Sequence, residues 1–342
     1  MPSTKQVVLN APLDMHLHLR DGEMLENIAL CSAQTFSAAI IMPNLVPPVS
    51  TKEEVVAYKK RIEHAIADEK FTPYMTLFFK PSYDKVFLES VKDHITAIKL
   101  YPAGITTNSE GGVSGFDVEE LRPALSAMAA LGIPLCVHGE TNGFVMDREA
   151  EFVSIYEKLA SAFPDLKIIM EHITTKESVA ALDKFENLYA TITVHHLLIT
   201  LDDVAGGMLQ PHLFCKPIAK RPEDREALLK VALEAHPKVM FGSDSAPHPK
   251  HAKESCGCAA GVFTSPIALQ LLTEIFEKNN VSFDKLQVFV SGNAQNIYGV
   301  TPPAKTVVLE KKPFKVPSNY NGVVPMYANE TLAYRIKEVN HG

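Results

Sequence analysis

The stretch Asp14-Met15-His16-Leu17-His18-Leu19-Arg20 carries the strongest structural signal in the chain. Side chains alternate between the two faces of a strand, so His16, His18 and Arg20 are expected on one face and the apolar residues on the other. Two imidazoles and a guanidinium cannot face a dry core without partners. A metal ion is the simplest partner for the histidines, and an anion for the arginine. Because His-x-His is a short motif, this interpretation requires further ligands elsewhere.

Short apolar runs of strand length recur along the chain, and helical patterns lie between most of them. The runs are Leu13–Leu19, Ala38–Met42, Tyr74–Phe79, Ile95–Tyr101, Ile133–Val137, Leu166–Met170, Leu188–Val194 and Val239–Phe241. Helical patterns cover Lys52–Asp68, Val118–Leu131, Arg148–Phe163, Lys176–Phe185 and Pro222–Glu234. Such alternation indicates parallel strands covered on both faces. Eight units favour a (β/α)8 TIM barrel over a doubly wound sheet, and no glycine-rich nucleotide-binding motif follows any strand.

The size of the chain fits a single large domain. It has 342 residues, of which 46% are hydrophobic and 21% charged. We expect one domain over residues 1–342, with the barrel at about 10–300 and a short C-terminal extension at 301–342. A helix at Ile267–Lys278 precedes this Pro-rich extension.

Charge and hydropathy restrict the partners. The net charge is −7 and no Lys/Arg run occurs, which argues against a nucleic acid partner. No apolar stretch has the length of a transmembrane helix, so no membrane partner is expected. The start, Met1–Gln6, lacks the apolar run of a signal peptide, which predicts a cytoplasmic protein. The five cysteines are an odd, scattered set and are expected to be reduced.

Polar residues close several of the apolar runs. They are Lys99 in the fourth run, His138 after the fifth, His172 after the sixth and Asp244 after the eighth. Each alone has an ordinary explanation: a lysine extending to solvent, a buried histidine, or a helix cap. In a β/α barrel, however, all these strand ends meet at one mouth, together with His16 and His18. Six such groups would bury unpaired polar atoms there, so the set predicts a metal centre.

Two other groups could serve a metal or the mouth of the barrel. A separate structural zinc site could use His248, His251, Cys256 and Cys258, but the Cys-x-Cys spacing is tighter than usual. His195 and His196 directly follow the seventh run. Adjacent strand residues point to opposite faces, so at most one of them could line the mouth. We interpret both as supporting or structural.

These motifs together resemble the metal-dependent amidohydrolases, and within them the bacterial dihydroorotases of the shorter, single-function type. The resemblance spans nearly the whole chain. It rests on the segments Asp14–Gly22, Met42–Pro48, Lys99–Ala103, Val137–Glu140, Glu171–Lys176 and Gly242–His248. The Asn44 and Lys99 motifs are the more specific ones, because the deaminases of the superfamily lack the lysine.

The resemblance implies two Zn²⁺ ions per chain. The ligands would be His16, His18 and Asp244 for one ion, and His138 and His172 for the other. Lys99, as N6-carboxylysine, would bridge both ions together with a hydroxide. A lysine at an apolar strand end has a depressed pKa, which makes the neutral amine that captures carbon dioxide accessible.

The implied reaction is the reversible cyclisation of N-carbamoyl-L-aspartate to (S)-dihydroorotate in de novo pyrimidine biosynthesis. In hydrolysis the bridging hydroxide would attack the ring amide, with Asp244 as general base and then general acid. The partner would be this small-molecule substrate, and the family suggests a homodimer.

The resemblance also implies the substrate contacts. Arg20, Asn44 and His248 would bind the substrate carboxylate, and the remaining contacts would come from His18, His138, Ala260 and the backbone of Lys216. Thr106 and Thr107 lie in the polar, Gly-rich loop 104–112, which we expect to act as a lid. The chain departs from the family pattern at Lys216, where relatives can carry an aliphatic residue. The residue that aligns with the family's alanine contact is Ala260 or, alternatively, Ala259.

Two other functions remain open at the level of sequence. A hydantoinase or dihydropyrimidinase would share the bridging lysine, but the pair of Arg20 and Asn44 suits a ring that bears a carboxylate. A non-catalytic barrel would have lost ligands, and none of the six is missing here.

Overall fold

Eight parallel strands form the centre of the structure. The structure is a computed structural model and describes residues 5–342. Strand β1 (Gln6–Asn10) precedes the barrel. The barrel strands are β2 (Leu13–Leu17), β3 (Ala38–Ile41), β4 (Thr72–Phe78), β5 (Ala97–Leu100), β6 (Leu135–Val137), β7 (Ile168–Met170), β8 (Leu188–Ile192) and β9 (Val239–Phe241). They pair in chain order. The barrel closes where Asp244 N donates to His16 O (2.8 Å) and His18 N to Ser245 O (3.2 Å). The predicted (β/α)8 barrel is confirmed.

Helices fill the intervals between the strands. They are α1 (Gly22–Ala33), α2 (Lys52–Ala65), α3 (Lys85–Val91), α4 (Val118–Leu131), α5 (Arg148–Ala162), α6 (Lys176–Ala181), α7 (Val194–Leu198), α8 (Leu201–Ala205), α9 (Pro222–Glu234), α10 (Lys250–Lys253), α11 (Ala268–Lys278), α12 (Phe283–Gln287) and α13 (Asn293–Tyr298). Local signals fix several starts: Thr51 and Glu54 form a capping box at α2, and the Thr175 side chain accepts from Ser178 N at α6. No helix among the described residues is long and apolar enough to cross a membrane.

The interior of the barrel holds a small apolar cluster beneath the mouth. Leu13, Met15, Ala38 and Met240 belong to it, and Ala294 of α13 packs there from the N-terminal ends of the strands. Met15 was expected on the same face as Leu17 and Leu19, and this was wrong, because those two leucines pack in the outer cluster between strands and helices. The pairing register of β2 shifts between Asp14 and Leu17, so strict alternation fails there.

The C-terminal segment joins the N-terminus of the chain in a small sheet. Strand β10 (Lys305–Glu310) pairs antiparallel with both β1 and β13 (Arg335–His341), and β11 (Phe314–Lys315) pairs with β12 (Thr331–Leu332). The buried Lys305 Nζ donates to Phe36 O (3.0 Å) in the segment between α1 and β3. The expected division at residue 300 stays a prediction. Residues 1–4, part of the Met1–Gln6 segment behind the predicted location of the protein, lie outside the described residues.

Candidate active site

One cleft at the C-terminal ends of the barrel strands collects almost all of the predicted site residues. Its lining is His16, His18, Arg20, Asn44, Tyr101, Thr106, Thr107, His138, His172, Lys216, Asp244, Ala246, Ala260 and Gly261. Two further predicted residues lie next to it: Lys99 in the wall, and His248 behind Arg20. The chemistry predicted from separate strands is therefore brought to one place.

The first ligand group is His16, His18 and Asp244. His18 Nε2 lies 3.1 Å from Asp244 Oδ1, and His16 Nε2 lies 3.5 Å from the same oxygen. Facing Nε2 atoms and a carboxylate oxygen at these separations are arranged as ligands of one ion. Their positions depend on Asp14, whose buried carboxylate accepts from Ser243 N (2.7 Å) and Ser243 Oγ (2.6 Å), holding β2 against the segment that carries Asp244.

A carboxylate orients His16 from behind. Glu171 Oε2 lies 2.7 Å from His16 Nδ1 and accepts from Thr191 Oγ1 at 2.6 Å. Burial raises the pKa of the Glu171 carboxyl, but the neighbouring His16 and Lys99 outweigh burial and lower it to about 2. An ionised Glu171 holds the proton of His16 on Nδ1, which leaves Nε2 free for a metal.

The second group is the pair His138 and His172. His138 Nδ1 lies 3.1 Å from His172 Nε2, and both residues are buried. Glu140 Oε2 lies 2.7 Å from His138 Nε2, so this carboxylate orients His138 as Glu171 orients His16, although on the opposite ring nitrogen. Burial lowers the pKa of His172 well below its usual value, which keeps the imidazole neutral as a ligand must be.

Lys99 provides the test of whether a metal group fits. Its side chain is fully buried, and Nζ has no hydrogen-bond partner in the described part of the chain, which is costly for an amine. Burial lowers its pKa, and Nζ lies 5.1 Å from the centre of the Tyr101 ring. A buried amine with a lowered pKa, beside four histidines and Asp244, fits a carboxylated lysine that bridges two ions. The donor set is thus suited to a metal-dependent enzyme.

Three residues of the site have left-handed backbone conformations that non-glycine residues rarely adopt. The φ angles are 58° at Arg20, 39° at His172 and 42° at Asp244. Each residue follows a strand end, where the turn directs its side chain into the mouth. Strained backbone conformations of this kind concentrate at functional sites, where the surrounding structure stabilises them and the side chain is thereby positioned.

Positive charge marks one side of the cleft. Arg20 Nε donates to Pro247 O (3.2 Å), and its terminal nitrogen lies 3.1 Å from His248 Nε2. Burial and the Arg20 charge lower the pKa of His248 to about 3, so this imidazole is neutral at neutral pH. Ala260 O lies 3.0 Å from His248 Nε2. The guanidinium has no carboxylate within ion-pair distance among the described residues, which leaves it free for an anion.

The loop that carries Thr106 and Thr107 lies over the cleft. Lys216 Nζ donates to Ile105 O (3.0 Å), and Asn44 Nδ2 donates to Thr107 O (3.0 Å). Two residues predicted as substrate contacts therefore also hold the loop in place. This departs from the expectation for Lys216, which assigned only its backbone a role.

The sequence interpretation missed Tyr101, Glu140 and Glu171 as site residues. Tyr101 stands two residues after Lys99, and this spacing could have placed it on the same face. His195 and His196 do not line the cleft, as expected for supporting residues, but they lie on α7 rather than on an extended strand. Among the described residues, His248, His251, Cys256 and Cys258 do not form a ligand cluster, so the structure does not support the alternative zinc site that the sequence left open.

Comparisons with known proteins identify the family of the chain. Residues 89–281 match the amidohydrolase family. The chain is 45% identical to a dihydroorotase of Helicobacter hepaticus, with 99% of this chain and 100% of the relative covered. A crystal structure of a Campylobacter jejuni dihydroorotase is 58% identical with a TM-score of 0.95, covering 99% of each chain. A Saccharomyces cerevisiae dihydroorotase in complex with 5-fluoroorotic acid is 32% identical with a TM-score of 0.90, covering 97% of this chain and 98% of that one.

The Helicobacter hepaticus and Campylobacter jejuni relatives match nearly the whole chain at 45% and 58% identity, and the fold agrees with them. The chain belongs to the dihydroorotase family of the amidohydrolases, the metal-dependent hydrolases of cyclic amides.

Proposed function

We propose that this enzyme interconverts (S)-dihydroorotate plus water and N-carbamoyl-L-aspartate on a centre of two Zn²⁺ ions. The observation that carries the proposal is the buried Lys99 amine, which has no hydrogen-bond partner among the residues that the structure describes, although four histidines and Asp244 lie around it. The amine would attack carbon dioxide and lose a proton, giving a carbamate that bridges the ions. His16, His18 and Asp244 would hold one ion, and His138 and His172 the other.

The bound ions would activate a water molecule as the nucleophile and polarise the amide carbonyl. Asp244 would take the proton of the attacking water and pass it to the leaving amide nitrogen. Its Oδ1 faces His16 and His18, which leaves Oδ2 for the proton. Burial raises the pKa of Asp244, which favours a carboxyl that both accepts and returns a proton.

Arg20 would select the substrate. A cyclic amide without a carboxylate gives the half-buried Arg20 guanidinium no anionic partner, whereas dihydroorotate can accept a bidentate pair of hydrogen bonds from it. Asn44 and His248 would complete the carboxylate pocket, and Thr106 and Thr107 would contact the bound ring from the loop above. The yeast relative that holds 5-fluoroorotic acid, a ring with a carboxylate, supports this assignment.

Steady-state hydrolysis of dihydroorotate, hydantoin and dihydrouracil tests the proposal. We expect a strong preference for dihydroorotate, and Arg20→Met should lower its kcat/KM about 100-fold or more, since each charge-assisted bond contributes about 1.5–3 kcal/mol. Activity on the neutral rings should not fall in parallel. Arg122→Gln, an exposed substitution on α4, is the control. A wild-type preference for either neutral ring would instead indicate a hydantoinase or dihydropyrimidinase.

The homodimer is also proposed. Met208 and Leu209 are adjacent apolar side chains with 86% and 67% exposure, which an interface would cover. Light scattering on the purified protein measures the mass directly, and a monomeric mass would contradict the dimer.

A further inference from the structure

A second group of ligand-type side chains lies outside the active-site cleft. It consists of His195 and His196 on α7 and Cys215 in the segment before Lys216, and one donor atom from each lies within 4.8 Å of the others. All three side chains are at most 2% exposed. None of them lines the cleft, and the proposed reaction uses none of them.

His195 is the anomaly in this group. Both of its ring nitrogens are buried without a hydrogen-bond partner among residues 5–342. A neutral imidazole has one donor and one acceptor, and leaving a buried polar group unsatisfied costs about 1–3 kcal/mol. Burial lowers the pKa of His195 well below its usual value, so the ring is neutral and able to bind a cation.

The other donor atoms are spaced as metal ligands are. His196 Nε2 lies 3.5 Å from Cys215 Sγ, and Pro217 O lies 3.1 Å from the first and 3.2 Å from the second. A tetrahedral zinc ion with bonds of about 2.0 Å to nitrogen and 2.3 Å to sulfur separates its ligands by about 3.5 Å. His196 Nδ1 lies 2.9 Å from Thr193 Oγ1, which holds the other end of the ring as in many metal-bound histidines.

We propose that His195, His196 and Cys215 bind a further Zn²⁺ ion, with the Pro217 carbonyl as the fourth ligand. Burial raises the pKa of the Cys215 thiol to about 12, so the thiol is protonated unless an ion binds. Binding therefore releases one proton to solvent and leaves a thiolate on the metal. The mixed nitrogen and sulfur set favours Zn²⁺ over Mg²⁺ or Ca²⁺, and four protein ligands mark the site as structural.

Such an ion would join α7 to the segment that carries Lys216. Lys216 in turn holds the loop over the active site through Ile105 O. The inference is independent of the proposed reaction, because its ligands are separate from those of the cleft and its test does not use turnover.

Cobalt replacement provides the test. The cleft offers only nitrogen and oxygen ligands, so a thiolate-to-cobalt charge-transfer band in the near ultraviolet would report on a cysteine site alone. The exposed Cys256 and the half-buried Cys258 are first replaced by serine. We expect this protein, produced with cobalt as the supplied metal, to show the band and to carry one more metal per chain than the same protein with Cys215→Ser.

His195→Gln in the same background is a second variant, and it should also bind one metal ion fewer per chain. Near-ultraviolet circular dichroism shows whether each variant folds. Absence of the band from the parent protein would overturn the proposal without any variant. A band that persists in folded Cys215→Ser would overturn it as well, because the thiolate would then come from another cysteine.

Discussion

Glu171 should control how tightly the first metal is held. The substitution Glu171→Gln keeps the shape of the side chain and an acceptor oxygen for His16 Nδ1, at present 2.7 Å away. It removes the negative charge. A charge-assisted hydrogen bond contributes about 1.5–3 kcal/mol and a neutral one about 0.5–1.5 kcal/mol, so the loss is about 1–1.5 kcal/mol. This corresponds to about a tenfold weaker metal affinity.

Competition with a chromophoric zinc chelator measures this affinity. Glu171→Gln should release one ion per chain at about tenfold lower chelator concentration than the wild type, within the range known for such carboxylate–histidine pairs. Glu310→Gln is a matched control, because Glu310 is also a buried carboxylate with a cationic partner, Arg335 (2.6 Å), but lies in the terminal sheet. Unchanged metal affinity in Glu171→Gln would refute the assignment of His16 Nε2 as a ligand oriented by this carboxylate.

Three further changes probe the lid, the cleft wall and the terminal sheet. Lys216→Met removes the bond to Ile105 O, and we expect kcat/KM for dihydroorotate to fall about tenfold, measured by steady-state kinetics. Gly261→Ala places a Cβ 2.3 Å from Ala246 O at a φ of +154°, so substrate KM should rise or the thermal midpoint fall. Burial lowers the pKa of Lys305 to about 8 in the folded state. Between about pH 8 and 10.5 the unfolded state therefore binds more protons than the folded state, and the free energy of unfolding increases as the pH is raised. In Lys305→Met this increase, at most about 1.4 kcal/mol per pH unit, should be absent when the free energy of unfolding is measured by urea titration at several pH values.

The barrel and the ligand set could be predicted because both depend on local sequence patterns. Each strand is a short apolar run, and Lys99, His138, His172 and Asp244 stand at or just after the ends of such runs. The parallel architecture then brings all strand ends to one mouth. Knowledge of the strand order was not needed for this step, since every barrel strand ends there.

Features that depend on contacts distant in sequence could not be predicted. Glu171 orients His16 across 155 positions, and the register shift that turns Met15 into the barrel depends on pairing with β3. The terminal sheet joins β1 to β10 and β13, which have no periodic signal of their own. The cluster of His195, His196 and Cys215 forms because β8 ends at Ile192 and a helix follows, where the sequence indicated a longer strand.

The central claim is that Lys99 joins two metal ions, and metal analysis of wild type and Lys99→Ala side by side tests it most directly. Both proteins are purified in the same zinc-containing buffer and their metal content per chain is determined by elemental analysis. The account predicts that Lys99→Ala loses at least one ion per chain, because the bridging carbamate cannot form. An unchanged metal content in folded Lys99→Ala would contradict it.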